Sequence, residues 1–196
     1  MAFFLLERDE PRVEGPRIYL RPPIRRDWRL WAEGRTVSRE FLVPWEPTWP
    51  SDALPRTAFR RRLDRQSEEW ERDTAYCFFV FRRADDALIG GINLNNVRRG
   101  VAQMASLGYW IGKPYARRGY MTEAVRCAIA FAFEHVGLHR LEAACLPHNA
   151  ASRAVLLRSG FKEEGVARRY LRINGEWQDH LLFGYLREDD QLRTEA

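Results

Sequence analysis

Residues 119–136 carry the most regular pattern in the chain. Met121, Ala124, Val125, Ala128, Ile129, Ala132, Phe133 and Val136 recur at helical spacing, and Gly137 ends the stripe. A second helix is predicted over 149–159, with Asn149 as N-cap and Gly160 past its end. Phe161 is spaced to fold back on Leu156. From residue 51 on, Phe59, Leu63, Gln66 and Trp70 share a face opposite one crowded with Arg and Glu. That predicts a surface helix, with Pro55 tolerated in its first turn. Asp27 begins an earlier helical stretch in which Trp28 and Trp31 share a face. Aromatic and β-branched residues predict strands over 75–81, 87–97 and 101–111, an antiparallel meander. Short strands are predicted over 17–21 and 141–146. A hairpin, 166–173 and 176–186, turns through Asn174-Gly175, the strongest short hairpin signal. Three prolines bar a helix over 42–50, leaving a stiff loop that carries Trp45 and Trp49.

The order is strand, two helices, three strands, helix, strand, helix, two strands. One α/β domain with a mixed sheet accounts for it most simply. It spans 17–187, between a pattern-poor arm, 1–16, and a tail, 188–196. No repeat, low-complexity tract or linker interrupts it.

The 196 residues suffice for a sizeable core without disulfides or metal. Cys77, Cys127 and Cys145 are odd in number, widely spaced and set in apolar runs, which predicts small core residues. His148 and His180 lack partners at metal spacing, so no metal is expected. All 32 basic residues but Lys113 and Lys162 are arginine, and the net charge of +5 favours an anionic partner, such as a phosphate-bearing cofactor. The opening run Met1–Leu6 is too short for a signal peptide and no stretch reaches membrane length, so a cytoplasmic protein is expected, with no membrane partner.

The candidate chemistry sits where a strand feeds a helix, over 107–124. Arg117, Arg118 and Gly119 open that helix, and unpaired N–H groups at a helix N-terminus make a pyrophosphate site. An ordinary strand–helix turn with solvated arginines is the alternative. Neither a Walker loop nor a dinucleotide fingerprint is present. Asp179-His180 has no nucleophile elbow to serve.

Five motifs in order carry a resemblance. They are Gly-Tyr-Trp-Ile (108–111), Arg-Arg-Gly-Tyr-Met-Thr-Glu-Ala (117–124), Asn-x-x-Ser (149–152), Gly-Phe (160–161) and Asp-His (179–180). Together they resemble the GCN5-related N-acetyltransferases, and within them the RimJ/RimL-type enzymes that acetylate ribosomal-protein N-termini. The resemblance runs from about 17 to 187. It implies the family's fold: a mixed, mostly antiparallel sheet splayed between strands 101–111 and 141–146. It implies acetyl-CoA as cofactor, held by Ile111, Arg117, Arg118, Gly119, Tyr120, Met121, Thr122, Asn149 and Ser152. Catalytic candidates are Ser152 or a bound water as acid, Glu142 or Glu46 as weak base, and a backbone N–H near Trp110 or Ile111 for the oxyanion. Many relatives place an acidic tyrosine where this chain has Leu156. Trp45, Glu46, Trp49, Tyr109 and Asp179 are the candidate acceptor contacts. The implied acceptor is a protein N-terminus, alanine in a ribosomal protein. An α-amine of pKa near 8 needs only a weak base. A small-amine acceptor and a non-catalytic coenzyme-binding module remain as alternatives. The oligomeric state is left at monomer or homodimer, and no nucleic-acid-binding motif is visible.

Overall fold

The computed structural model describes residues 11–189 together with the backbone of the short strand Phe4–Leu5. Residues 1–3 and 6–10 of the arm and 190–196 of the tail lie outside the described residues. Among the described residues nine strands form one sheet in the order β1-β2-β3-β4-β5-β6-β7-β9-β8. They are β1 Phe4–Leu5, β2 Arg12–Glu14, β3 Ile18–Arg21, β4 Tyr76–Arg82, β5 Ala87–Arg98, β6 Met104–Ile111, β7 Arg140–Cys145, β8 Lys162–Ile173 and β9 Glu176–Leu186. Every neighbour pair is antiparallel except β6 with β7. The mixed α/β architecture is the one the pattern predicts.

The helices are α1 Trp28–Val37, α2 Arg39–Leu42, α3 Arg56–Glu71, α4 Tyr120–Ala130 and α5 Ala150–Ser159. On one face of the sheet, the α4 stripe (Met121, Ala124, Val125, Ala128) packs with Ile92, Leu94, Leu107 and Leu141 in the main core. On the other face, Trp31 and Phe59 pack with Phe79, Phe81 and Leu88, and Trp110 lies against them, so α1 and α3 cover β3, β4 and the start of β5.

Several boundaries differ from the sequence reading. Arg12–Glu14, inside the expected arm, is a strand paired with β3, too short to show alternation. The loop over 42–50 begins in α2 and a 3-10 turn, Val43–Trp45. Pro44 is accommodated there because the first positions of a turn need no N–H donor. The third helix starts at Arg56, with Pro55 extended before it as N-cap. The strand expected over 101–111 starts at Met104, after a turn in which Gly100 and Gln103 take positive φ. The long helix ends its regular part at Ala130 and continues as a π turn, Phe131–His135.

Candidate active site

The one parallel pairing makes a wedge. β6 and β7 are in register from Met104 with Arg140 to Leu107 with Ala143, and there the ladder stops. Beyond it β6 stays paired with β5 as far as Ile111 with Gly90, and β7 with β9 as far as Cys145 with Leu181. The two strands part at the predicted place, and their facing edges carry backbone groups free of a ladder. Gly112 N–H donates to Ile89 O on the β5 side at 2.8 Å. Alternation along the strand turns Trp110 N–H toward Gly91 as well. It turns Ile111 N–H and Tyr109 N–H into the wedge. Of the two backbone donors considered from sequence, Ile111 is therefore the one that faces the opening. The Trp110 indole lies over Gly91, where an added Cβ would come within 2.5 Å of its Nε1.

Two helices begin beside the wedge. Gly119, at φ +80°, is the N-cap of α4, and the first intrahelical bond is Glu123 N–H to Gly119 O at 3.1 Å. The N–H groups of Tyr120, Met121 and Thr122 precede it and have no partner in the helix. Arg117 and Arg118 are exposed, and Arg117 itself takes φ +60°. The Met121 side chain is in the core, so only its backbone reaches the loop. Spacing did not reveal the brace beneath. Arg17 Nε donates to Glu123 Oε2 at 2.9 Å and Arg17 Nη1 to Arg118 O at 3.2 Å. Glu123 also accepts from Ile18 N–H at 3.2 Å, pinning α4 to β3. A glutamate in the first turn also suits the helix dipole.

At α5, Asn149 Oδ1 accepts from Ser152 N–H at 3.0 Å, the predicted cap. The Ser152 hydroxyl lies 2.8 Å from the Tyr109 hydroxyl, across the mouth from β6 to α5. Burial raises the Tyr109 phenol's pKa, so it stays a neutral donor. This pair was not foreseen, because its members are far apart in sequence. Leu156, at the position where many relatives carry an acidic tyrosine, is fully buried in the core. Cys145, at the end of β7, is buried and its thiol pKa raised by that burial.

On the opposite face, Glu46 is bound by Arg35 in a two-pronged ion pair at 2.7 and 2.6 Å, and its Oε2 accepts from Trp49 Nε1 at 2.7 Å. The Arg35 guanidinium lies 4.1 Å from the Trp49 ring centre and 5.0 Å from that of Trp110. The cation that Glu46 and Trp49 face is thus supplied by the chain. The loop is also tied to the hairpin, Asn174 N–H donating to Glu46 O at 2.9 Å. Trp45 packs on His148, ring centres 5.4 Å apart. Glu142 lies at the closed end of the β6–β7 ladder, opposite Ser106, with Arg140 Nε at 3.3 Å and Arg98 Nη2 at 3.6 Å. Asp179, exposed on the hairpin, accepts from Arg169 N–H at 2.7 Å and steadies a bulge where Arg169 takes φ +47°. His180 is buried, its Nδ1 2.9 Å from Gln178 O.

Comparison with known proteins is consistent with this geometry. Residues 17–162 match the family described as Acetyltransferase (GNAT) domain. The Bacillus subtilis protein named Probable N-acetyltransferase YjcK is 36% identical over 179 residues, covering 91% of this chain and 99% of that one. The [Ribosomal protein uS5]-alanine N-acetyltransferase of Escherichia coli is 36% identical over 172 residues, 87% and 88% of the two chains. Among solved structures, Mycobacterium smegmatis RimJ in complex with CoA-disulfide superposes with TM-score 0.83 at 31% identity, over 91% and 88% of the two chains. The ribosomal-protein-S5-alanine acetyltransferase of Vibrio fischeri does so with TM-score 0.84 at 29% identity, over 96% and 98%. Among the described residues no helix is long and apolar enough to cross a membrane.

Proposed function

This chain belongs to the GNAT family of acetyltransferases, and we propose that it acetylates the N-terminal α-amine, alanine in particular, of a ribosomal or other protein, using acetyl-CoA. The observation that carries the proposal is the wedge between β6 and β7, flanked by the open N-terminus of α4 on one side and the Tyr109–Ser152 hydroxyl pair on the other. The relatives named for ribosomal-protein alanine support the choice of acceptor.

The residues fit the coenzyme. Tyr120, Met121 and Thr122 offer N–H donors to a pyrophosphate, with Arg117 and Arg118 beside them. The wedge edge of β6 offers strand-like partners to the amides of a pantetheine arm, with Asn149 at the start of α5. Bound acetyl-CoA supplies a thioester ready for attack by a neutral amine. Ile111 N–H stabilises negative charge on the carbonyl oxygen. Ser152, backed by Tyr109, holds a proton for the departing sulfur. Glu46 is engaged by Arg35 and Trp49, and Glu142 by Arg140, so neither is called on as a base. An α-amine of pKa about 8 is already partly neutral at pH 7.

Two details favour a protein N-terminus over a small cationic amine or a silent module. The relatives named for ribosomal-protein alanine favour a protein N-terminus over a small amine. The Tyr109–Ser152 pair supplies the proton donor that Leu156 does not. Thiol release from acetyl-CoA tests this directly. A peptide beginning with Ala should release thiol, while the same peptide beginning with acetyl-Ala and a panel of small amines should not. Turnover of small amines alone would remove the peptide assignment.

A further inference from the structure

A mostly antiparallel sheet can leave part of one face open to solvent. Here α1 and α3 cover the second face over β3, β4 and the start of β5, with Trp110 of β6 packed against them, but not the polar stretch from Asn93 on in β5 or Ser106 and Gly108 beside it in β6. Ile92, Leu94 and Leu107 point into the α4–α5 core, so Asn93, Asn95, Ser106 and Gly108 point the other way. Their register makes a continuous floor: Asn93 is opposite Gly108, and Asn95 is opposite Ser106, which is opposite Glu142. Among the described residues, the side chains of Asn93, Asn95, Asn96 and Ser106 make no hydrogen bond within the protein. A cleft of about 700 Å³ opens on this floor, walled by Thr74 and by Tyr170 of the hairpin arm. That is the size of a pocket for a sizeable ligand.

We propose that this floor is a second acceptor subsite, which holds an extended stretch of the substrate polypeptide behind its reacting N-terminus. The proposal rests on the reading of a protein N-terminus as acceptor. The chemistry selects a peptide backbone. Each amide side chain both donates and accepts, as a backbone does, and Ser106 adds a hydroxyl. An anion or a lone cation is a poor match, because the Glu142 charge is already met by Arg140 and Arg98, and that of Glu69, which also lines the cleft, by Arg65. The floor also leads from the site of reaction. Ser106, Gly108 and Trp110 lie on the same face of β6, and the path from Trp110 to Ser106 spans about 13 Å at strand rise. An extended acceptor covers that in roughly four residues, so about its fourth to seventh residues lie over the cleft. The half-exposed Tyr170 ring offers a stacking surface to one of their side chains.

The test is kcat/KM for a series of Ala-starting peptides of three to ten residues, with the wild-type chain and with Asn95→Ala and Tyr170→Ala. Two or three backbone hydrogen bonds correspond to about tenfold or more. That gain should appear between three and eight residues, carried by KM. Each variant should reduce the long-to-short ratio by about threefold or more. Unchanged coenzyme affinity shows that a variant is folded, and either variant suffices if the other is not. Equal kcat/KM at every length overturns the subsite and leaves N-terminal acetylation standing. A length dependence untouched by both variants overturns it as well. Failure to acetylate any peptide, with small amines turned over, removes the underlying reading and the subsite with it.

Discussion

In the proposed reaction the proton for the departing thiol comes from a contact between two hydroxyls. Ser152 sits in the first turn of α5, fixed by its own N–H to Asn149, and Tyr109 reaches it from β6 at 2.8 Å. On the proposed mechanism, removing either hydroxyl breaks the proton path. A thiol of pKa about 8.5 departs with little help, so the effect should be modest for a general acid. Ser152→Ala and Tyr109→Phe should each lower kcat by about tenfold, with KM for acetyl-CoA little changed. Steady-state kinetics with both substrates varied would decide it, and a loss confined to KM would assign the pair to binding. The rate should rise with pH through about 8, as the acceptor amine loses its proton. Because burial raises the Tyr109 pKa, the phenol should cause no decline below its ordinary pKa of 10. At this scale the sequence was legible in part. Asn149 as a cap and Gly119 as a turn residue follow from residue type and place. The Tyr109–Ser152 and Arg35–Glu46 contacts do not, because tertiary approach alone creates them.

At the scale of elements, α4 joins fold to function. Its apolar stripe seats it on the sheet, and its open N-terminus is held in place by Arg17 and Glu123. Gly119 makes the entry possible, since its φ of +80° strains any residue with a Cβ. Gly119→Ala should cost about 1 kcal/mol, lowering Tm by about 2–4 °C. It should also weaken coenzyme A binding by about tenfold, since the turn sets the N–H groups of Tyr120 to Thr122. Thermal unfolding and calorimetric titration check the two effects separately. Normal coenzyme affinity in a destabilised variant would detach this turn from the cofactor. Elements with a long period or a strong stop signal were readable from sequence. They include α4, α5 with Gly160 at φ +100°, and the hairpin with Asn174 and Gly175 at φ +45° and +88°. Strands of two or three residues, the turn around Pro44 and the π turn carry no such signal.

For the whole molecule, the fold depends on one exception in the sheet. Among the described residues eight strand pairings hold the sheet together, seven antiparallel and one parallel, and the parallel ladder stops after Leu107 with Ala143. Coenzyme and acceptor can then meet there from opposite faces, one from the α4–α5 side and one from the side of Trp110 and the loop over 42–50. Order and spacing of motifs reveal that division before any contact is known, because the parallel strand must follow the crossover helix α4. The central claim is that the acetyl group goes to an α-amine. The most direct measurement is to incubate the protein with acetyl-CoA and a ten-residue peptide that begins with Ala and contains an internal Lys, then locate the acetyl group by tandem mass spectrometry. Acetylation of the N-terminal nitrogen alone is the predicted result; acetylation of the Lys side chain, or an unmodified peptide, would contradict it.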